Sequence, residues 1–164
     1  ARVGQGPTVE WPVGVGAKGN GGVAALVDLM PGAIGYLDHA SAMQGKGPIS
    51  FALVQNKAGK FVRPGVESFA AAASSVEWVD AEDFSVILTD ACGDQAYPIT
   101  ATVFALMRRQ PRSPARAAVA RNFLKWVLEN GQAQAEALDY MPLPPALVQE
   151  IKAYWQAQFV ERKG

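Results

Sequence analysis

Apolar residues recur at two spacings along this chain, and these divide it into helices and extended runs. From Gly21 to Met30, Val23, Leu26, Val27 and Met30 return every three or four positions. That interval gathers side chains on one face of an α-helix. Asn20 stands where an N-cap belongs, and Pro31-Gly32 closes the run. The same interval returns between Ser113 and Asn130 in Ala117, Ala120, Phe123, Leu124, Val127 and Leu128. Ser113 is an N-cap, Pro114 suits the first helical position, and Gly131 is the stop. Gln132–Leu138 reads as a short further helix. A last helix runs from Pro144 to about Phe159, with Leu147, Val148, Ile151, Trp155 and Phe159 on one face. The alanine-rich ESFAAAASS after Pro64-Gly65 predicts another short helix ending near Ser74.

The extended runs are shorter. Residues 1–13 read as extended, with Trp11 as an anchor. Ala33–Leu37 has the small, continuous apolar character of a buried strand, and Gly32 and Gly35 suggest that another backbone passes close. Gln44–Pro48 is a turn. Phe51–Val54 and Lys60–Val62 flank Asn56–Gly59 as a hairpin. Val86–Leu88 is a further strand, and Asp90–Gln95 is polar and turn-like. Tyr97–Arg108, apolar from Ile99 to Met107 apart from Thr100 and Thr102, is the longest predicted strand. Tyr140–Leu143 is a loop, and Trp126 and Trp155 are expected in the core or at a docking face.

Gly14 to Ala42 holds the densest chemistry. Its glycines leave backbone N–H groups free at the start of a helix, a ready place for an anion. Gly14, Gly16 and Gly19 spell G-x-G-x-x-G, and Asp38 lies where a ribose-binding acid would follow. The preceding residues 8–13 contain Pro12 and are too short and polar for a central parallel strand. A P-loop fits worse still, since Lys18 is followed by Gly19 rather than Ser or Thr and the spacing is wrong. An enzyme would have to draw its acid or base from Asp38, His39, Asp90 and Asp94, none in a recognisable arrangement. Asp38, His39 and Ser41 lie too close in sequence to converge from a strand end. By themselves these residues leave three readings open: the nucleotide-dependent enzyme, an anion-recognition protein, and plain fold punctuation.

Four blocks carry a family resemblance: KGNGGVAALV, PGAIGYLDHASA, DQAYPITATVFALMRR and FLKWVLENGQAQAEALDYMPLP. In this order they resemble the C-terminal half of periplasmic phosphate-binding proteins that serve ABC phosphate importers. The likeness runs from Val3 to about Phe159. It implies an α/β chain forming part of a bilobal type II periplasmic-binding-protein fold, two α/β lobes joined by hinge strands. Residues 1–98 would complete one lobe. Residues 99–164 would supply a hinge strand and the helical end of the other, with the N-terminal portions of both lobes outside the chain. The implied role is binding rather than catalysis, with a nucleotide-dependent enzyme as the alternative, and the implied ligand is inorganic phosphate. The implied partners are an N-terminal half or second polypeptide and the membrane subunits of the transporter. The implied location is periplasmic, or lipid-anchored outside the cytoplasm. The family's phosphate ligands lie upstream, ending in an Arg…Ser-Gly-Thr run, and no Ser-Gly-Thr occurs here. No residue is carried over as a phosphate ligand, and the same text suits a degenerate relative kept for an interaction role. Gly19, Asn20, Gly21, Thr100 and Thr102 are the cleft candidates. Apolar surface should lie exposed where the N-terminal half would pack.

Composition narrows the alternatives. The chain has 164 residues, with 15 basic and 15 acidic side chains and no net formal charge. That argues against nucleic-acid binding, and the basic cluster Arg108, Arg109, Arg112 and Arg116 reads as a solvated turn or a docking surface. No apolar run approaches a membrane span, so no membrane insertion is expected. The start of the chain lacks the look of a signal peptide, which the resemblance reads as an internal piece. Cys92 and His39 are the only residues of their types. No metal site or cofactor is expected from so few ligands.

Overall fold

The computed structural model describes residues 3, 4, 6, 9–45, 47, 49–78 and 81–158. Lys46 and Pro48 of the predicted 44–48 turn and Phe159 of the last helical face lie outside them. The chain forms two compact units, residues 1–50 and 51–164.

The first unit is built on two helices that pack on each other, α1 (Gly19–Leu29) and α2 (His39–Met43). Helix α1 follows the predicted periodicity but starts earlier, with Lys18 at the cap and Asn20 inside the first turn. The N-cap assignment to Asn20 is thereby corrected. Ala24, Ala40 and Ala42 are buried. Ala33–Leu37 is not a strand: no ladder hydrogen bond holds it, and Ile34 is 98% exposed. A strand is stabilised by its neighbour, and none stands beside this run among the described residues. Gly35 does mark a close approach, but to side chains. A β-carbon there would sit 2.8 Å from Val23 Cγ1 and Val27 Cγ2 of α1, whereas Gly32 has open space around it. Trp11 is well exposed, its ring 6.2 Å from that of Tyr36.

The second unit begins with the predicted hairpin, shortened to β1 (Val54–Gln55) and β2 (Phe61–Val62), antiparallel with Val54 opposite Val62. Helix α3 (Val66–Ser74) follows and ends at the predicted residue. Ser68 Oγ donates to the carbonyls of Arg63 (2.8 Å) and Gly65 (3.0 Å), holding the helix entry. Ala72, Ala91 and Ala96 form the tightest cluster, with Leu88 and Val62 also buried.

Helix α4 (Pro114–Asn130) has the predicted bounds, with Ser113 Oγ accepting from the Arg116 N–H at 3.5 Å. Gly131 ends it without a left-handed turn, at φ −87°. Its glycine requirement is steric, since a β-carbon would lie 2.7 Å from the Val127 carbonyl oxygen. Helices α5 (Gln132–Ala137) and α6 (Pro145–Gln158) complete the unit. Gln132 ties the corner: its Nε2 donates to the Val127 carbonyl (3.2 Å), and its Oε1 accepts from the Leu143 N–H (2.8 Å). Lys152 of α6 pairs with Glu129 of α4, and that hydrogen bond holds the Glu129 carboxyl below its ordinary pKa. Leu147 and Val148 of α6 are buried, but no residue of α4 is. Phe123 and Trp126 stack on each other in the open, 6.5 Å apart. None of the α4 stripe is buried, and of the two places expected for Trp126, core or docking face, the core is not the one it takes.

Neither Val86–Leu88 nor Tyr97–Arg108 forms a strand. The predicted hinge strand is an irregular segment, with Val103 88% and Leu106 93% exposed. Its apolar residues satisfy β-propensity, but among the described residues no second strand offers it a ladder. The described residues are therefore rich in helix with one two-stranded sheet, compatible with part of an α/β domain.

Candidate functional site

The glycine loop delivers an uncapped helix start. Lys18 makes no side-chain cap bond, so the first N–H groups of α1 are left without one. At Gly14, Gly16, Gly19 and Gly21 nothing lies within 4 Å of where a β-carbon would stand. This is the open backbone the sequence suggested. Its one side chain of consequence, Asn20, is already engaged: its amide donates to Asp38 Oδ2.

Asp38 is the hub of the first unit. It caps α2, accepting from the Ser41 N–H at 2.8 Å and the Ser41 hydroxyl at 2.7 Å. Asp38 and Ser41 thus converge after all, because a helix rather than a loop follows Asp38 and brings its third residue back to the cap. The contact is structural, since both oxygens of the carboxylate are spoken for. Burial pushes the Asp38 carboxyl up, but the hydrogen bonds from Ser41 and the nearby His39 outweigh it, leaving the pKa below its ordinary value. The cap's stabilisation is therefore complete above the ordinary carboxylate pKa and is lost as pH falls through the lowered value. Asp38→Asn keeps an acceptor but does not titrate, so it should flatten this acid loss. Asp38→Ala should cost about 1 kcal/mol at neutral pH. Denaturant titrations of the three proteins across the acid range check both expectations.

The threonines lie in the second unit. Thr100 is 8% exposed, and its hydroxyl donates to the Tyr97 carbonyl at 2.8 Å. Thr102 Oγ1 is buried without a hydrogen-bond partner among the described residues. Gly19, Asn20 and Gly21 are thus grouped in one unit, and Thr100 and Thr102 in the other. Asp38 and His39 likewise fall in the first unit, Asp90 and Asp94 in the second. The βαβ setting that a dinucleotide fingerprint needs is not formed: residues 9–18 and 33–37 are not strands.

Two features escaped sequence reasoning. Asn56, 5% exposed, sits in the hairpin turn, where its Oδ1 accepts from the Lys60 N–H at 3.0 Å. Its Nδ2 donates to the carbonyls of Gly93 (3.1 Å), Asp94 (3.0 Å) and Ala96 (3.1 Å), clipping the 93–96 loop to the hairpin. Beside that loop, Tyr97 stacks edge-on against Phe69, and burial raises its phenol pKa. The second feature is an open cavity of about 640 Å³ lined by Asp83, Phe84, Arg109, Glu150 and Tyr154. Arg109 reaches Asp83 at 3.4 Å and the Tyr154 hydroxyl at 3.3 Å, and that hydroxyl donates to Asp83. Of the four clustered arginines, Arg109 therefore has local partners, while Arg108, Arg112 and Arg116 are exposed. Cys92 is exposed. Among the described residues no helix is long and apolar enough to cross a membrane.

No protein-family model matches the chain. Individual proteins do. A phosphate-binding protein PstS of Xylella fastidiosa (strain 9a5c) is 51% identical over 158 residues, covering 96% of this chain and 43% of that protein. A phosphate-binding protein PstS of Pasteurella multocida is 41% identical over 99% of this chain and 46% of its own length. One from Methanocaldococcus jannaschii is 38% identical over 87% of the chain and 40% of its own length. The chain spans a little under half the length of the curated relatives it matches. It is homologous, along nearly all of its length, to proteins named phosphate-binding protein PstS, with a coverage consistent with a C-terminal half of one.

Proposed function

We propose that the chain is the C-terminal half of the substrate-binding component of an ABC phosphate importer, working outside the cytoplasm. The observation that carries this reading is the 51% identity over 96% of the chain to a protein named for phosphate binding. Residues 1–98 would complete one lobe and residues 99–164 the other, and the two would close on the anion by a hinge motion. Most phosphate ligands would come from the N-terminal half. This half would contribute the free N–H groups near Gly19 and Gly21 and the hydroxyl of Thr102. The buried, unpartnered Thr102 Oγ1 supports a role that a group outside the described residues completes, since such a hydroxyl is costly left alone. Thr100 and Asn20 would support the cleft through Tyr97 and Asp38. The exposed Val103, Leu106, Phe123 and Trp126 are apolar surface of the kind an N-terminal half would cover.

Equilibrium dialysis against labelled phosphate tests the reading. The chain alone is expected to retain none. The chain co-expressed with the N-terminal half of the Xylella relative is expected to co-purify with it and bind phosphate, with sulfate a poor competitor. A paired complex that ignores phosphate would overturn the proposal and favour a degenerate relative. A melting temperature raised by NAD or ATP would favour the enzyme alternative instead.

A further inference from the structure

Two Asn-Gly pairs occur in the chain, Asn20-Gly21 and Asn130-Gly131. The fold treats them in opposite ways. Asn-Gly is the dipeptide most open to self-attack, because no β-carbon shields the glycine nitrogen from the asparagine side chain. At Asn130-Gly131 the attack is blocked. The Gly131 N–H donates to the Val127 carbonyl at 2.9 Å, Gly131 is buried between α4 and α5, and the Asn130 amide donates to the Trp126 carbonyl at 3.4 Å.

At Asn20-Gly21 the side-chain amide is also tied, to Asp38, but the restraints on the glycine nitrogen are missing. Both residues are exposed, and nothing lies within 4 Å of the Gly21 β-carbon position. Gly21 is the third residue of α1, so its N–H has no intrahelical acceptor. The turn lacks a side-chain cap and frays as helix ends do, which frees the backbone rotation that ring closure needs. The positive end of the helix favours the deprotonated nitrogen that attacks.

We infer that Asn20-Gly21 is a site of spontaneous succinimide formation and deamidation, and that Asn130-Gly131 is protected. In the step, hydroxide takes the Gly21 N–H proton and the nitrogen bonds to Asn20 Cγ. The Cγ–Nδ2 bond breaks, and the nitrogen leaves as ammonia with a proton from water. Water then opens the ring at either carbonyl, yielding aspartate or isoaspartate at position 20. The new carboxylate faces Asp38, which had accepted a hydrogen bond from the lost amide. An attractive contact becomes a like-charge pair, and the formal charge of zero becomes minus one. The isoaspartate product also adds a backbone methylene to the first turn of α1.

The purified chain, held in mildly alkaline buffer, is sampled over days by peptide mapping, isoaspartyl-methyltransferase labelling and anion exchange. The expected result is a mass gain and methyl label at residue 20 that outpaces residue 130, with a shift to a more acidic species. Gly21→Ala has room for its methyl and suits a helix, and it should abolish the gain at residue 20. The denatured chain should convert both sites alike. Conversion at 130 as fast as at 20 in the folded chain would overturn the inference. So would a folded chain inert at both sites, or a G21A protein that converts at residue 20 as fast as the parent.

Discussion

Asn56→Ala is expected to destabilise the second unit by about 2 kcal/mol, because it removes the acceptor of the Lys60 N–H and the donor shared by the Asp94 and Ala96 carbonyls, while the Gly93 carbonyl keeps the Ala96 N–H. The effect should be large relative to a domain stability of about 5–15 kcal/mol. The Gly93, Asp94 and Ala96 carbonyls all converge on the amide; the Gly93 carbonyl also accepts from the Ala96 N–H at 3.2 Å, and the Tyr97 N–H ties the loop onward to the Ser68 carbonyl at 3.1 Å. Asn56→Asp should be at least as damaging, since a carboxylate offers those carbonyls no donor. Urea titration reads the loss, and hydrogen exchange should show it first at Ala96 and Tyr97. A change under about 1 kcal/mol would mean that water replaces the amide at little cost.

The second large effect belongs to Gly35. Gly35→Val should cost about 1–3 kcal/mol, the usual range for forcing extra carbon into a filled space. The obstacles are Val23 Cγ1 and Val27 Cγ2, each 2.8 Å from the β-carbon position. Both belong to β-branched residues on a helix, which have little rotamer freedom with which to yield. Its sequence neighbour supplies the control. Ile34 is 98% exposed, so Ile34→Ala should change stability by no more than about 0.5 kcal/mol. Thermal melts of the two variants give the comparison. Equal effects would mean that the 33–37 segment does not rest on α1.

These two sites also show what a sequence can carry. The bounds of α4 were legible because every signal for them is local: Ser113, Pro114, the apolar interval and Gly131 all lie within one helix. The hairpin was legible for the same reason, through Asn56–Gly59. Its central residue was not, because nothing near Asn56 announces that its amide reaches a loop some forty positions on. The failures at 33–37, 86–88 and 97–108 share one cause. Apolar, β-branched text reports a preference for extended backbone, but a strand also needs a partner, and that partner is never written beside it. Helix α2 does carry a local signal, the Asp38–Ser41 cap, but the apolar Ala33–Leu37 run before it reads as a strand and hides it. In the candidate site, the open helix start was readable from Gly14 to Gly22. The diversion of Asn20 to Asp38 was not, since it depends on where residues 33–38 run.

The irregular segment from Ile99 to Arg112, exposed along most of residues 103–112, ties together more than its openness suggests. It joins the clipped hairpin, helix and loop to the three C-terminal helices, and it also holds Arg108, Arg109 and Arg112. Where this unit is most open, it also offers the residues that trypsin-like proteases cut after. A single nick there would spare both the Asn56 clip and the Glu129–Lys152 pair, and the two pieces would still meet where Tyr154 hydrogen-bonds to Asp83 and packs edge-on against Phe84. Breakdown of this protein would then start at one joint and finish only when that aromatic and hydrogen-bonded contact lets go.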